Sequence, residues 1–390
     1  MKKQSFILAL AIFAIFSLPF ITSCEKDDDN GGDTIGGDTI IVGDTTIIDV
    51  TENISENTTW VTGKVYKLGG RITVLPGVTL TIEPGVIIKG EAGTGPNATA
   101  LLVARDATLM AEGTESQPII FTSVADEIEP GQIAIPNLDP DLNGLWGGVI
   151  VLGNAPISAD ADAVQIEGIP PSDQNGLYGG SDGTDNSGVI KYVSIRHGGA
   201  NIGEGNEING LTLGGVGSET VIENIEIVSN QDDGVEWFGG TVNVSNVLVW
   251  NTGDDAIDTD QSWAGTLDNF IVVNPGDECF ELDGPEGEME AGHTIKNGTV
   301  LAVDADGLVD LDDNSIVDMS NIYFTALAVG QDFDLNPAGL TASNLEATLP
   351  SDTLTVTDFF KDGSDAFVTT VNEGSNSVGA DVSKFINWTW

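Results

Sequence analysis

Positive charge is what this chain has least of. Thirteen Lys and Arg stand against sixty-one Asp and Glu, which leaves a formal net charge of −48 over 390 residues. A surface of that sign repels phosphate backbones, so nucleic acid is excluded as a partner. It also disfavours anionic polymers unless a metal bridges the like charges. The same composition serves some secreted proteins simply as a way to stay solvated. Histidine occurs twice, at 197 and 293, too rarely for a nitrogen-liganded metal centre. Cysteine also occurs twice, at 24 and 279, so at most one disulfide is available and a thiolate metal site is excluded. No Gly-x-Ser-x-Gly elbow and no phosphate-binding glycine loop is found, which removes the usual serine-nucleophile and nucleotide readings. Beyond the first two dozen residues no apolar run is long enough to cross a bilayer as a helix.

What the chain does have is a period. Asn224, Asn246, Asn269, Asn297, Asn321 and Asn344 recur at gaps of 22, 23, 28, 24 and 23 residues. Each sits in one local pattern of apolar residue, any residue, Asn, then alternating apolar positions, as in Val221-Ile-Glu-Asn224-Ile-Glu-Ile and Val244-Ser-Asn246-Val-Leu-Val. Strand-type alternation at a fixed period of this length marks a stacked solenoid. One repeat cannot bury its apolar face alone, whereas a stack encloses a continuous core. Equivalent residues then lie about 4.8 Å apart, close enough for Asn side chains to hydrogen-bond along the stack as a ladder. The expected fold is all-β: a right-handed, single-stranded parallel β-helix with an Asn ladder.

Short strand runs punctuated by Gly, Pro and Asn, such as Leu80-Thr-Ile-Glu-Pro-Gly-Val-Ile-Ile88 and Ile119-Ile-Phe-Thr122, extend the solenoid upstream. Two polar segments, 126–143 and about 158–187, read as insertions, the second as a surface loop. The β-helix is expected over 56–349. The segment 350–390 loses the Asn period and carries Phe359, Phe360, Phe367, Phe385, Trp388 and Trp390. It reads as a C-terminal cap over the last coil, whose strand edges and core side chains are otherwise exposed. Residues 24–55, with their Gly-Asp-Thr repeats, read as an acidic, Gly-rich tether.

The first 23 residues read as a secretory signal, with Met1-Lys-Lys followed by an apolar run from Phe6 to Ile21. Ile21-Thr-Ser-Cys24 resembles a bacterial lipobox, in which the Cys is diacylated, and this implies lipid attachment at Cys24. Removing the signal takes Lys2 and Lys3 with it, so the net charge becomes −50. With Cys24 lipidated, Cys279 has no disulfide partner and reads as a small core residue. Glu25-Lys-Asp-Asp-Asp29 resembles the export tag of Bacteroidetes surface lipoproteins. The stretches TLTIEPGVIIKG, GLWGGVIVLGNAPI, GVIKYVSIRHGGA and DDGVEWFGGTVNVSNVLVWNTGDDAIDTD resemble a functionally uncharacterised family of those lipoproteins, of the right-handed parallel β-helix (pectin-lyase-like) type. The resemblance implies an outer-membrane protein held only by its lipid, facing the cell exterior. The chain is expected to be a monomer.

Acidic residues recur in step with the Asn. Eight positions on stand Asp232, Asp254 and Asp277; nine on, Asp233, Asp255, Glu278 and Asp306; twelve on, Glu236, Asp258 and Glu281. If coils stack in register these form columns, and like charges about 5 Å apart do not all stay ionised unaided. Solvation, raised pKa values or bound cations are the alternatives, and thiol-free oxygen clusters suit Ca²⁺. The plainer reading is that Asp, Asn and Gly are turn residues recurring at a turn. Trp237 and Trp263 lie beside these acids in the chain, a combination that suits sugar recognition through ring stacking and hydroxyl contacts. Trp250 belongs instead with Val228, Val273 and Leu301 to an outward apolar stripe that a loop or the tail would cover. The expected role is binding of a glycan or other surface component, with Ca²⁺ on the acidic edge. A polysaccharide lyase is the alternative, with Lys191, Arg196 and His197 as candidate catalytic residues. Inverting hydrolysis by paired carboxylates is less favoured: Asn251-Thr-Gly-Asp-Asp255 resembles polygalacturonase-type enzymes, but their Gly-His-Gly and Arg-x-Lys motifs do not follow. A structural or adhesive role is the third reading.

Overall fold

Period-two alternation leaves each short segment with one apolar face, and the chain buries that face by winding. This computed structural model describes residues 39–42, 45–202, 208–334 and 337–390; Cys24 and the signal segment lie outside them. Among these residues the strands build one sheet of 17, one of eight and one of two. The sheet of eight, or short sheet, takes Arg71–Val74, Ala100–Val103, Val149–Leu152, Leu211–Gly214, Val235–Phe238, Ile257–Asp260, Phe280–Leu282 and Asp310–Leu311 in sequence order. Its strands are parallel throughout. The fold is the expected right-handed parallel β-helix, with no α-helix among the described residues.

In the early coils the long sheet receives two short strands per turn, such as Thr79–Ile82 and Ile87–Gly90. Gly188–Arg196 pairs with both Thr108–Glu112 and Ile119–Ser123, and from there each coil contributes one long, bent strand. The bend falls at Tyr192 (φ 49°) and then at Asn224, Asn246, Asn269, Asn297, Asn321 and Asn344, with φ between 54° and 62°. Asn is among the few non-Gly residues that adopt this left-handed conformation readily. The asparagine period thus has a backbone cause, and the amide ladder comes with it. Flanking register pairs set the six directly above one another. Nδ2 of Asn269 donates to Asn246 (2.7 Å), that of Asn321 to Asn297 (3.0 Å) and that of Asn344 to Asn321 (3.2 Å). Between Asn269 and Asn297 the ladder is broken: Asn297 donates to Asp268 instead (2.7 Å). A second, shorter ladder joins Asn274 to Asn251 (3.3 Å) five positions further on, also at positive φ.

One apolar core runs from Ile54 to Phe360 and includes Cys279. Each coil places the residue after its ladder Asn in this core, as Ile225, Val247, Phe270, Ile322 and Leu345. Gly298 is the exception, and a Cβ there would lie 1.9 Å from the ring of Phe270, the residue it pairs with. The glycine is the space that the phenylalanine fills.

Two segments depart from expectation, and the last goes beyond it. Thr45–Val50 pairs in parallel with Lys64–Leu68, and Thr39–Val42 pairs antiparallel with it. The sheet therefore begins inside the 24–55 segment expected as tether, because Thr45-Thr-Ile-Ile-Asp-Val50 supplies a strand where the first coil needs one. The 158–187 insertion is no free loop: Ile157, Ile166, Ile169 and Tyr178 pack with Leu102, Ile150, Leu152 and Phe238 as a second apolar cluster over the outer face of the short sheet. Arg71 and Arg105 help hold it there, through Asp173 (3.0 Å) and the Gly179 carbonyl (2.8 Å). In the last segment, Phe359 and Phe360 close the core and Val368–Thr370 adds a final strand, as a cap should. The remainder turns back across the outside of the long sheet. Ser377 donates to Glu346 (2.7 and 2.6 Å), Ala380 to Thr299 (2.9 Å) and Asp381 to Asn269 (2.6 Å). Trp388 meets Tyr192 edge-on, and Trp390 lies 5.3 Å from Trp250. The tail covers the outward stripe at Trp250. Its bond to Asn269 takes the oxygen that Asn297 would otherwise reach.

Candidate functional site

On the short sheet, alternation turns Val235, Trp237, Ile257 and Phe280 inward and leaves Glu236, Asp258 and Glu281 outward. Register pairs place Glu236, Asp258, Glu281 and Asp310 in one column. At the turn just before, Asp255 N donates to Asp233 Oδ1 (3.0 Å) and Glu278 N to Asp255 Oδ1 (2.7 Å), a second column. The 28-residue repeat does not shift either one, because its extra residues form the segment between Phe280–Leu282 and His293–Leu301. One member of the expected set moves: Glu278 bridges to Gly307, and Asp306 aligns with Asp277.

The insertion makes an outer edge into a cleft of about 520 Å³, lined among others by Glu167, Tyr178, Glu236, Asp258, Asp260, Gln261, Asp283 and Glu286. Its lining includes no Lys, Arg or His. Tyr178 donates to Gln261 (2.9 Å), and Gln261 Nε2 to Glu286 (3.1 Å). Asp233, Glu236 and Asp258 are buried, and one carboxylate oxygen from each lies within 4.8 Å of the others. Asp232, Asp233 and Asp254 form a second such group, in which Asp232 and Asp254 retain exposure. Burial, reinforced by neighbouring carboxylates, holds Asp233, Glu236 and Asp258 well above the usual carboxylate range. The same causes push Asp255 up to about 11, Glu278 to about 8, and Asp260 and Asp283 to about 7. Such a group either keeps its protons or takes a hard cation, and all-oxygen donors with partial access to water fit Ca²⁺. Asp232, Asp233, Glu236, Asp254, Asp255, Asp258, Asp277, Glu278 and Glu281 are thus drawn onto one flank.

The tryptophans belong elsewhere. Trp237 and Trp263, expected as sugar platforms, are 0% and 1% exposed and stack on each other inside the solenoid at 4.6 Å. Trp263 donates to the Val242 carbonyl (3.0 Å), and His293 packs on its other side. A ring with no open face cannot receive a pyranose, so both are core residues. Inward alternation on Val235–Phe238 accounts for Trp237.

The candidate bases are not assembled with the acids either. Lys191 pairs with Glu223 (3.1 Å) on the long sheet. Arg196 is fully buried beneath the tail, where it bonds Glu226 (3.1 Å), Ser194 Oγ (2.6 Å) and the Ile133 carbonyl (2.6 Å). His197 is buried with Nδ1 on the Leu142 carbonyl, and burial lowers its pKa. Sequence reasoning missed Tyr178, Gln261, Glu286 and Asn209, because only the docked insertion and chain winding bring them to the acids.

A family model described as a pectate-lyase like beta helix domain matches residues 52–387. The chain belongs to this family. Membership in the β-helix family supports a surface or polysaccharide-related role and assigns nothing finer. No curated protein and no solved structure matches the sequence.

Proposed function

We propose that this protein is a monomeric outer-membrane lipoprotein, anchored through Cys24 and facing the exterior, whose acid-lined cleft holds Ca²⁺ and uses it to bind an extracellular glycan. The observation that carries the reading is the burial of Asp233, Glu236 and Asp258 within 4.8 Å of one another, with Glu236 and Asp258 lining a cleft that has no basic side chain. A cation there neutralises carboxylates that are otherwise costly to ionise. Its open coordination positions can take sugar hydroxyls or a uronate, which a −48 surface otherwise repels. Lyase chemistry is less well supported, because Lys191 and Arg196 are engaged by Glu223 and Glu226.

The test is retention of the full chain on immobilised pectin and alginate, with calcium and with chelator. Calcium-dependent retention is expected, without any rise in unsaturated-product absorbance. Product formation would replace the binding reading with the lyase, and no retention on either polymer would leave a structural role.

A further inference from the structure

We infer that a separate cavity, between the outer face of the early long sheet and the 126–143 insertion, binds one uncharged sugar ring without calcium. Val65, Ile87 and Ile120 face outward from neighbouring strands, and Ile128 of the insertion packs on them as a small apolar cluster. Beside that contact lies a cavity of about 240 Å³.

Its lining has no charged side chain, in a chain of net charge −48. The acidic cleft and the cavities beside Glu223 and Asp160 all carry carboxylates. Ile87, Ile120, Pro118 and Pro130 make the apolar part of the wall, and Ser116, Gln117 and Gln132 the polar part. Gln132 Oε1 accepts from Glu129 N (2.9 Å), which leaves its Nε2 free. Among the described residues no hydrogen bond engages that nitrogen, the Gln117 side-chain amide or Ser116 Oγ. A pyranose has the matching division, with C–H faces and a rim of hydroxyls that donate and accept as amides do. Drug-sized ligands take pockets of about 300–1,000 Å³, so 240 Å³ suits a single ring.

The walls are fixed in advance, which lowers the cost of binding. Gly85 N donates to the Gln117 carbonyl (3.0 Å), and Gln117 N to the Thr114 carbonyl (3.0 Å). Across the cavity, Lys89 holds the Asp126 carbonyl (2.6 Å), Asn137 bridges Glu127 N and the Ala125 carbonyl (both 2.9 Å), and Arg196 holds the Ile133 carbonyl (2.6 Å). Gly63 and Gly131 stand in the lining at φ of 78° and 93°, and a Cβ on either would meet no atom within 4 Å, so that approach is open. No aromatic ring lines the cavity, so binding is expected to be weak and in fast exchange.

Saturation-transfer NMR of the full chain in chelator tests this, with methyl β-galactoside and N-acetylglucosamine as neutral probes and galacturonate as the charged one. Transfer to a neutral probe is expected, with several-fold less to galacturonate. Ser116→Trp, on an exposed turn, should fill the cavity and abolish transfer. Gln117→Ala should weaken binding by roughly fivefold, the loss of one neutral hydrogen bond. Circular dichroism checks that each variant is folded. Transfer that persists in Ser116→Trp overturns the placement, and equal transfer to galacturonate overturns the charge argument. Transfer seen only with calcium assigns the sugar to the acidic cleft, and no transfer to either neutral probe removes this site. Neither result bears on the calcium-dependent retention proposed above.

Discussion

Stability against pH is the sharpest probe of the acidic flank. Burial holds Asp260 and Asp283 at about 7 and Glu278 at about 8, against about 4 for carboxyls in an unfolded chain. Between about pH 4 and 8 the unfolded chain has therefore released protons that the folded protein still holds. Stability must fall as pH rises through that window, and Asp255, held up at about 11, extends the fall above it. One fully shielded carboxyl contributes at most about 1.4 kcal/mol per pH unit. Asp260 and Asp283 are only partly shielded, and discounting for solvent screening leaves roughly 1 kcal/mol per unit for the two together, or about 3 kcal/mol from pH 4 to 7. A solenoid of roughly 340 folded residues has an unfolding entropy near 0.7 kcal/mol per degree, so these two groups alone should lower the midpoint by about 4 °C in chelator. Calcium at about a hundred times its dissociation constant restores about 2.7 kcal/mol and nearly offsets the share of these two groups. The assay is thermal unfolding followed by circular dichroism at several pH values, with calcium or chelator. General repulsion among the surface acids gives the same sign, but added salt screens it far more than it screens buried groups. Substituting both Asp260 and Asp283 by Asn should lessen the salt-resistant part of the slope, leaving the share of Asp255 and Glu278. A chelated midpoint that rises between pH 5 and 8, or a melt indifferent to calcium throughout, would refute the reasoning.

Other substitutions test the fold. Arg196→Met leaves Glu226 buried without its cation and should cost about 3–5 kcal/mol in urea unfolding, most of it recovered when Glu226→Leu is added; equal losses in single and double variants would contradict the pairing. Gly298→Ala drives a methyl into the Phe270 ring and should cost about 1–3 kcal/mol, with Phe270→Leu restoring part of it. Cys279 is fully buried, and burial raises its thiol pKa. In a Cys24→Ser chain it should resist thiol reagents until the coils open, so prompt labelling of the native protein would place it wrongly.

The solenoid was legible because its cause is local and repeated. An Asn that accepts positive φ, followed by alternating apolar residues, marks each bend directly in the chain, and the columns Asp233–Asp255–Glu278 and Glu236–Asp258–Glu281 follow once coils stack. The second ladder at Asn251 and Asn274 was equally open to reading at its spacing of 23 residues. The walls of the cleft were not legible. Gln165, Glu167 and Tyr178 reach the acids only because an insertion with Ile157, Ile166 and Ile169 docks on an outer sheet face, and no period announces that contact. The tryptophans misled for a related reason: proximity to acids along a strand says nothing about side, and Trp237 faces opposite to Glu236.

The returning tail carries one more consequence. In a plain solenoid each coil touches only its neighbours, so a break can start anywhere and spread one turn at a time. Here a single peptide ties Glu346, Thr299, Asn269 and Glu226 together, which links turns that never meet. Peeling the stack from its far end therefore requires undoing the clasp over the middle as well. That clasp can fasten only after those turns are in place, so it acts as a seal on assembly that comes last.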